Sequence, residues 1–176
     1  MNTLDAIVNR KSVRSYTGEP TSKDELDTVL KTAYASPVAM GKYGDVSLTV
    51  ISNKELLQKL DQNAQQTFHT DRSMLYGAPT FIIVSAKLVG SPADNSAYSN
   101  GATIVENMNL GAVELGLGAC HIWGVIAALN QNQALLKELN IPEGQTPVAG
   151  MTLGKTTETY DPRKVDTSRI QTNMID

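Results

Sequence analysis

The run Thr80-Phe81-Ile82-Ile83-Val84-Ser85 leaves this chain the fewest choices of fold. It is apolar without alternation and follows Gly77-Ala78-Pro79, a turn that separates it from what precedes. A short apolar run rich in β-branched residues reads as a strand covered on both faces, since a half-exposed strand alternates. Such a strand needs a layer on each side, and the chain carries helical patterns to supply them. Leu4, Ile7 and Val8 fit one face of a first short helix. Ser22-x-x-Glu25 is a capping box, and it opens a helix with the stripe Leu26, Val29, Leu30 and Ala33, closed by Pro37. Asn53 is placed to cap a helix carrying Leu56, Leu57 and Leu60. The longest helix starts at residues 91–93, with Ala97, Gly101, Ile104, Val105, Met108, Ala112 and Leu115 on its stripe. It stops at Gly116-Leu117-Gly118. A small helix over Gln131–Leu139 ends before Pro142.

Three more segments read as strands. Val46–Ile51 alternates with period two, Ala119–Ile126 is short and apolar with Gly124 inside it, and Thr146–Leu153 is the last. Strands and helices alternate only loosely, which predicts an α+β fold with one sheet between helices, a single domain over residues 1–176. From Lys155 the chain turns polar, with Pro162 and no period, so this tail is either frayed or laid against a partner subunit. Gly101, Ala102, Gly111 and Ala112 allow close helix approach on more than one side, which suits a dimer and core packing equally.

Seven residues, Arg10-Lys11-Ser12-Val13-Arg14-Ser15-Tyr16, concentrate the chemistry. If the chain is extended there, Arg10, Ser12 and Arg14 project to one side. Guanidinium forks and a hydroxyl on one side suit a phosphate dianion, although a solvated basic turn reads the same way. Charged residues are 19% and the formal net charge is −3, so the cluster is a local cationic site on a mildly acidic protein. That favours a small anion over nucleic acid or an anionic membrane. A single Cys120 excludes an internal disulfide and fits a reducing compartment. No apolar run approaches the roughly 20 residues that span a bilayer, so a cytoplasmic protein is expected.

Other motifs are weaker. Ala149-Gly-Met-Thr-Leu-Gly-Lys155-Thr156 matches a loose phosphate-loop pattern, but Thr157–Pro162 has no helical period to follow it, which argues against a nucleotide triphosphatase. Cys120 suits a small buried hydrophobe, and Trp123 suits a core position. His121 lacks a partner at metal-ligand spacing, and His69 is the other histidine. No nucleophile–base pair and no paired carboxylates stand out.

The stretch Arg10–Tyr16, so near the start, resembles the opening signature of the nitroreductase-like family of FMN-dependent flavoproteins. Ala35-Ser36-Pro37-Val38-Ala39-Met40 resembles the second signature, where a proline and small residues line the flavin, but Gly41 and Tyr43-Gly44-Asp45 replace the usual Asn and Gln-Pro-Trp. Gly116-Leu-Gly118-Ala-Cys120-His121-Ile122-Trp123-Gly124 resembles the third, a strand that supplies backbone contacts to the flavin edge. Asp94 and the helix with Asn107 and Leu115 resemble the central helix, and Ile141-Pro142-Glu143-Gly144 the turn before the closing strand. Thr70, Asp71, Arg72 and Ser73 stand where some members carry flavin-contacting Asn and Lys.

The resemblance implies one mainly antiparallel sheet, a homodimer, and a carboxy-terminal tail reaching the partner subunit. It implies FMN as cofactor, NADH or NADPH as reductant, and a nitroaromatic, quinone or similar planar acceptor. The cofactor-binding residues it implies are Arg10, Lys11, Ser12 and Arg14, then Pro37, Val38, Ala39 and Met40 from the neighbouring subunit. Cys120, His121, Ile122, Trp123 and Gly124 join them, with Lys155 and Arg163 as carboxy-terminal cations (Lys164 adjoins them). No protein side chain is implied as catalytic, and no metal. Two alternatives stay open: a flavin carrier or sensor of the same fold, and a nucleotide-phosphate-binding interaction domain using residues 149–156.

Overall fold

The computed structural model describes residues 1–175. Its helices are α1 (Thr3–Asn9), α2 (Lys23–Tyr34), α3 (Lys54–Phe68), α4 (Asn95–Glu114), α5 (Gly124–Leu129) and α6 (Gln133–Glu138). Its strands are β1 (Val46–Ile51), β2 (Thr80–Lys87), β3 (Gly118–His121) and β4 (Gln145–Gly154). They form one sheet in the order β1-β2-β4-β3, with every neighbouring pair antiparallel.

The twice-covered strand is β2. Ile82 and Val84 face a core shared with Val29, Ala33, Val105 and Met108, from α2 and α4. Phe81 and Ile83 face the other way, onto Leu60, Ala64, Val125 and Leu129, from α3 and α5. Burying a side chain of this kind contributes about 1.5–3 kcal/mol, so this one strand joins both layers. The layers approach closely where a glycine allows it. A Cβ at Gly150 in β4 would lie 2.6 Å from Phe81 Cζ.

The capping box of α2 is formed, with the Ser22 side chain accepting from Glu25 N–H and the Glu25 carboxylate accepting from Ser22 N–H. Asn53 caps α3 as expected. A single 3₁₀ turn, Pro92–Asp94, leads into α4, whose stripe from Ala97 to Ala112 is buried.

Two expectations are corrected, and one alternative is set against the fold. Residues 119–126 are not one strand: β3 ends at His121, and Gly124 opens α5. Val125, Ile126, Ala128 and Leu129 are buried with helical spacing, and a short apolar run carries too little period to reveal this. The apolar side of α1 faces outward, because the helix buries Ala6 and Asn9 while Leu4 is 73% and Ile7 47% exposed. Residues 149–154 belong to β4 inside the sheet and no helix follows, so the phosphate-loop alternative has no loop to use. No helix is long and apolar enough to cross a membrane among the described residues.

Candidate functional site

Residues 10–16 run along the free edge of β3. The buried Val13 anchors them, its N–H donating to the Ala119 carbonyl at 2.9 Å. Tyr16 fixes the far end by bonding the Val13 carbonyl at 3.0 Å and the Thr152 hydroxyl at 2.8 Å. Burial pushes the pKa of this tyrosine well up, so it stays a neutral strut. A Cβ at Gly118 would meet Val13 at 2.9 Å and Tyr16 at 3.0 Å, so the glycine lets the segment lie flat on the strand.

With Val13 turned inward, Arg10, Ser12 and Arg14 share the environment of Cys120. Burial raises the thiol's pKa, while the Ser12 hydroxyl and the charges of Arg14 and Arg10 pull against it. The thiol is therefore neutral near pH 7. Arg10 Nε lies 3.5 Å from Glu106 of α4, whose other oxygen is 3.2 Å from His121 Nε2. Lys11 Nζ lies 2.9 Å from Glu158 and 5.8 Å from the Tyr160 ring centre. The Tyr160 hydroxyl donates to the Leu117 carbonyl, and burial raises its pKa to about 12. Arg14 has no carboxylate partner among the described residues. It lies 5.7 Å from the centre of the Tyr76 ring, and hydrogen bonding to Tyr76, then the charge interaction with Cys120, raises its pKa.

The β3–α5 turn continues this surface. Ala119 and His121 direct their backbone groups away from β4, as the pairing of Ile122 N–H with the Gly150 carbonyl requires. A Cβ at Gly124 would lie 2.3 Å from Met74 Cε, so Gly124 brings this turn against the 70–79 loop. Trp123 is not a core residue: it is 73% exposed, with its ring 6.3 Å from that of Phe68.

The remaining expected residues lie elsewhere. Pro37–Met40 leads toward β1, with Ala39 N–H donating to Asn100 and Asn107 holding Ser36. Met40 has a left-handed backbone, φ 56°, beside Gly41 at φ 65°, and its side chain is exposed. β1 and β3 are opposite edges of the sheet, and Val46 and Ala119 lie at diagonal corners, on the order of 25 Å apart. Lys155 Nζ turns to Glu25 at 2.5 Å, and Arg163 is exposed in the tail. A cavity of about 530 Å³ between α3 and the 73–79 loop contains none of the cations on residues 10–14.

Glu106, Glu158, Tyr76, Phe68 and Met74 were missed in the sequence. None of them carries a local signal, although Tyr76 and Gly77 both take positive φ in the structure, 56° and 71°.

The sequence profile of the Nitroreductase family matches residues 7–155. An NAD(P)H nitroreductase-type protein of Archaeoglobus fulgidus is 30% identical over 154 residues, 86% of this chain and 83% of that protein. A Bacillus subtilis FMN reductase (NADPH) is 24% identical over 87% of this chain, which spans 65% of that enzyme's length. A Bacteroides fragilis nitroreductase solved with bound FMN superposes with a TM-score of 0.84 and 25% identity, covering 99% of this chain and 100% of that one.

Proposed function

The chain belongs to the nitroreductase family, and we propose that it passes electrons from a nicotinamide to planar acceptors such as nitroaromatics and quinones. It is an NAD(P)H-dependent flavin oxidoreductase with FMN as its cofactor. When bound, FMN supplies the acceptance and donation of hydride at its N5 atom.

The donor set fits such a group. Two guanidiniums, an ammonium and a hydroxyl follow one another along an edge segment whose geometry Val13 and Tyr16 fix. Arg10, Lys11 and Ser12 hold the phosphate, with Glu106 and Glu158 keeping Arg10 and Lys11 oriented. Arg14, free of a carboxylate, stabilises negative charge added on the ribityl or pyrimidine side. The backbone from Cys120 through His121, Ile122 and Trp123 to Gly124 forms the edge of the cradle. Lys155 and Arg163 are the carboxy-terminal cations of the same proposal.

Pro37, Val38, Ala39 and Met40 line the ring from a second copy. The diagonal separation of the two segments supports that reading, because one planar ring does not bridge both within one chain. The functional unit is then a homodimer of single FMN-binding domains, residues 1–176 each, with the polar tail reaching the partner. The reducing compartment suited to the buried, unpaired Cys120 is the cytoplasm.

The observation that carries the proposal is the seating of residues 10–16 on the edge of β3, Val13 N–H bonded to the Ala119 carbonyl, with Arg10, Lys11, Ser12 and Arg14 spaced along that segment. Anaerobic titration with NADH and then NADPH tests it. The visible flavin band bleaches with at least one nicotinamide and returns when a nitroarene or quinone is added. A band that neither nicotinamide bleaches means the chain binds flavin without turning it over.

A further inference from the structure

Aromatic residues are only 5% of this chain, yet three of them lie around the same turn. Tyr76 stacks near Arg14, and Trp123 and Phe68 form the one aromatic pair among the described residues, at 6.3 Å and a 51° tilt. Trp123 is 73% exposed and Phe68 40%, so the pair buries little of its own surface. A buried tryptophan covers 150–250 Å², so this placement forgoes about as much stabilisation as any single side chain can contribute.

The position of the ring is nevertheless held. Gly124, the next residue, is pressed against Met74, and Trp123 (φ −93°, ψ −43°) sits at the cap that leads into α5. Phe68 ends α3 and backs the indole from the other side of the turn. Among the described residues the indole N–H donates to no protein group. A held, open, electron-rich surface with a spare donor, next to a cationic cluster, suits a flat electron-poor ring bearing oxygen acceptors.

We propose that the Trp123 side chain, backed by Phe68, is the platform on which this enzyme stacks planar electron-poor aromatic acceptors, and so sets its preference for them. The inference rests on the flavin reading above, but it concerns the side chain of Trp123 rather than the cradle backbone.

The test compares the holoenzyme with W123A and W123F. Flavin released on heating is quantified per chain, and kcat/KM is measured for a nitroarene and for ferricyanide, a compact anion with no aromatic face. With W123A, the ratio of the nitroarene value to the ferricyanide value is expected to fall about five- to tenfold, as expected from loss of one aromatic stack, mainly through KM. W123F recovers most of the ratio, and every rate is expressed per FMN bound. An unchanged ratio overturns the proposal, and so does loss of FMN or of the dimer in W123A, because Trp123 then serves the cofactor or the partner copy. Those failures leave the flavin reading standing as long as the wild type is yellow and reduces ferricyanide. A colourless, inactive wild type overturns both.

Discussion

Arg10, Lys11 and Arg14 differ in what holds them, and this sets what their loss does. Glu106 and Glu158 orient the first two, while Arg14 lies over the Tyr76 ring. Cys120 is packed in the core and burial keeps its thiol protonated, so C120S retains FMN and turns over within about twofold of the wild type. A much larger loss of kcat would give the thiol a direct role. Gly150 packs closely on Phe81 in the core, 2.6 Å away for an added Cβ, and G150A is expected to cost about 1–3 kcal/mol in urea denaturation. Adding F81L should return part of that cost, and a double variant no more stable than the sum of the singles would refute the contact. The cation spacing was legible because it is local: one alternating segment carries it. Glu106, Tyr76 and Phe68 were not legible, because nothing near them in the chain marks the partners the fold brings to them.

At the scale of elements, α2 carries its own start signal and a long-range tie. Glu25 completes the capping box and also meets Lys155 at the end of β4. Its hydrogen bond with Lys155, then that from the Ser22 backbone, lowers its pKa below the ordinary glutamate value. A carboxylate with a depressed folded pKa contributes stability that is present above its unfolded pKa and lost as pH falls through the folded one. The stability gap between the wild type and E25Q should therefore be full near neutrality and close below about pH 4. Urea midpoints at neutral pH and in acid check this, and a gap that persists in acid would mean that cap geometry rather than charge is responsible. The elements with a strong period or an explicit cap, α2, α4 and β1, were legible almost to their ends, and α3 at its start. The stretch after β3 was not, since four apolar residues fit a strand as well as a helical turn, and only packing against α3 decides. The outward face of α1 was misread because its apolar residues gave the right helix but no direction.

The whole molecule leaves apolar surface that one copy does not use, including Leu4 and Ile7 on α1, and Met40 and Tyr43 in the loop before β1. Such surface suits contact with a second copy. The wild type is therefore expected to sediment as a dimer, and a variant with Leu4→Glu and Ile7→Glu to dissociate and lose FMN together. A monomer that keeps its flavin would refute a shared site. The diagonal placement of the Pro37–Met40 segment and the Arg10–Arg14 segment follows from the strand order, which no local pattern encodes. The proposed function depends above all on the cations at the start of the chain holding the phosphate of FMN. A flavin-fluorescence titration of stripped protein with FMN and, separately, with riboflavin reads this for the wild type and for R10A. The wild type is expected to bind FMN tightly, both proteins to bind riboflavin weakly, and the R10A affinity for FMN to fall toward that for riboflavin. Equal FMN affinity in the wild type and R10A would contradict it.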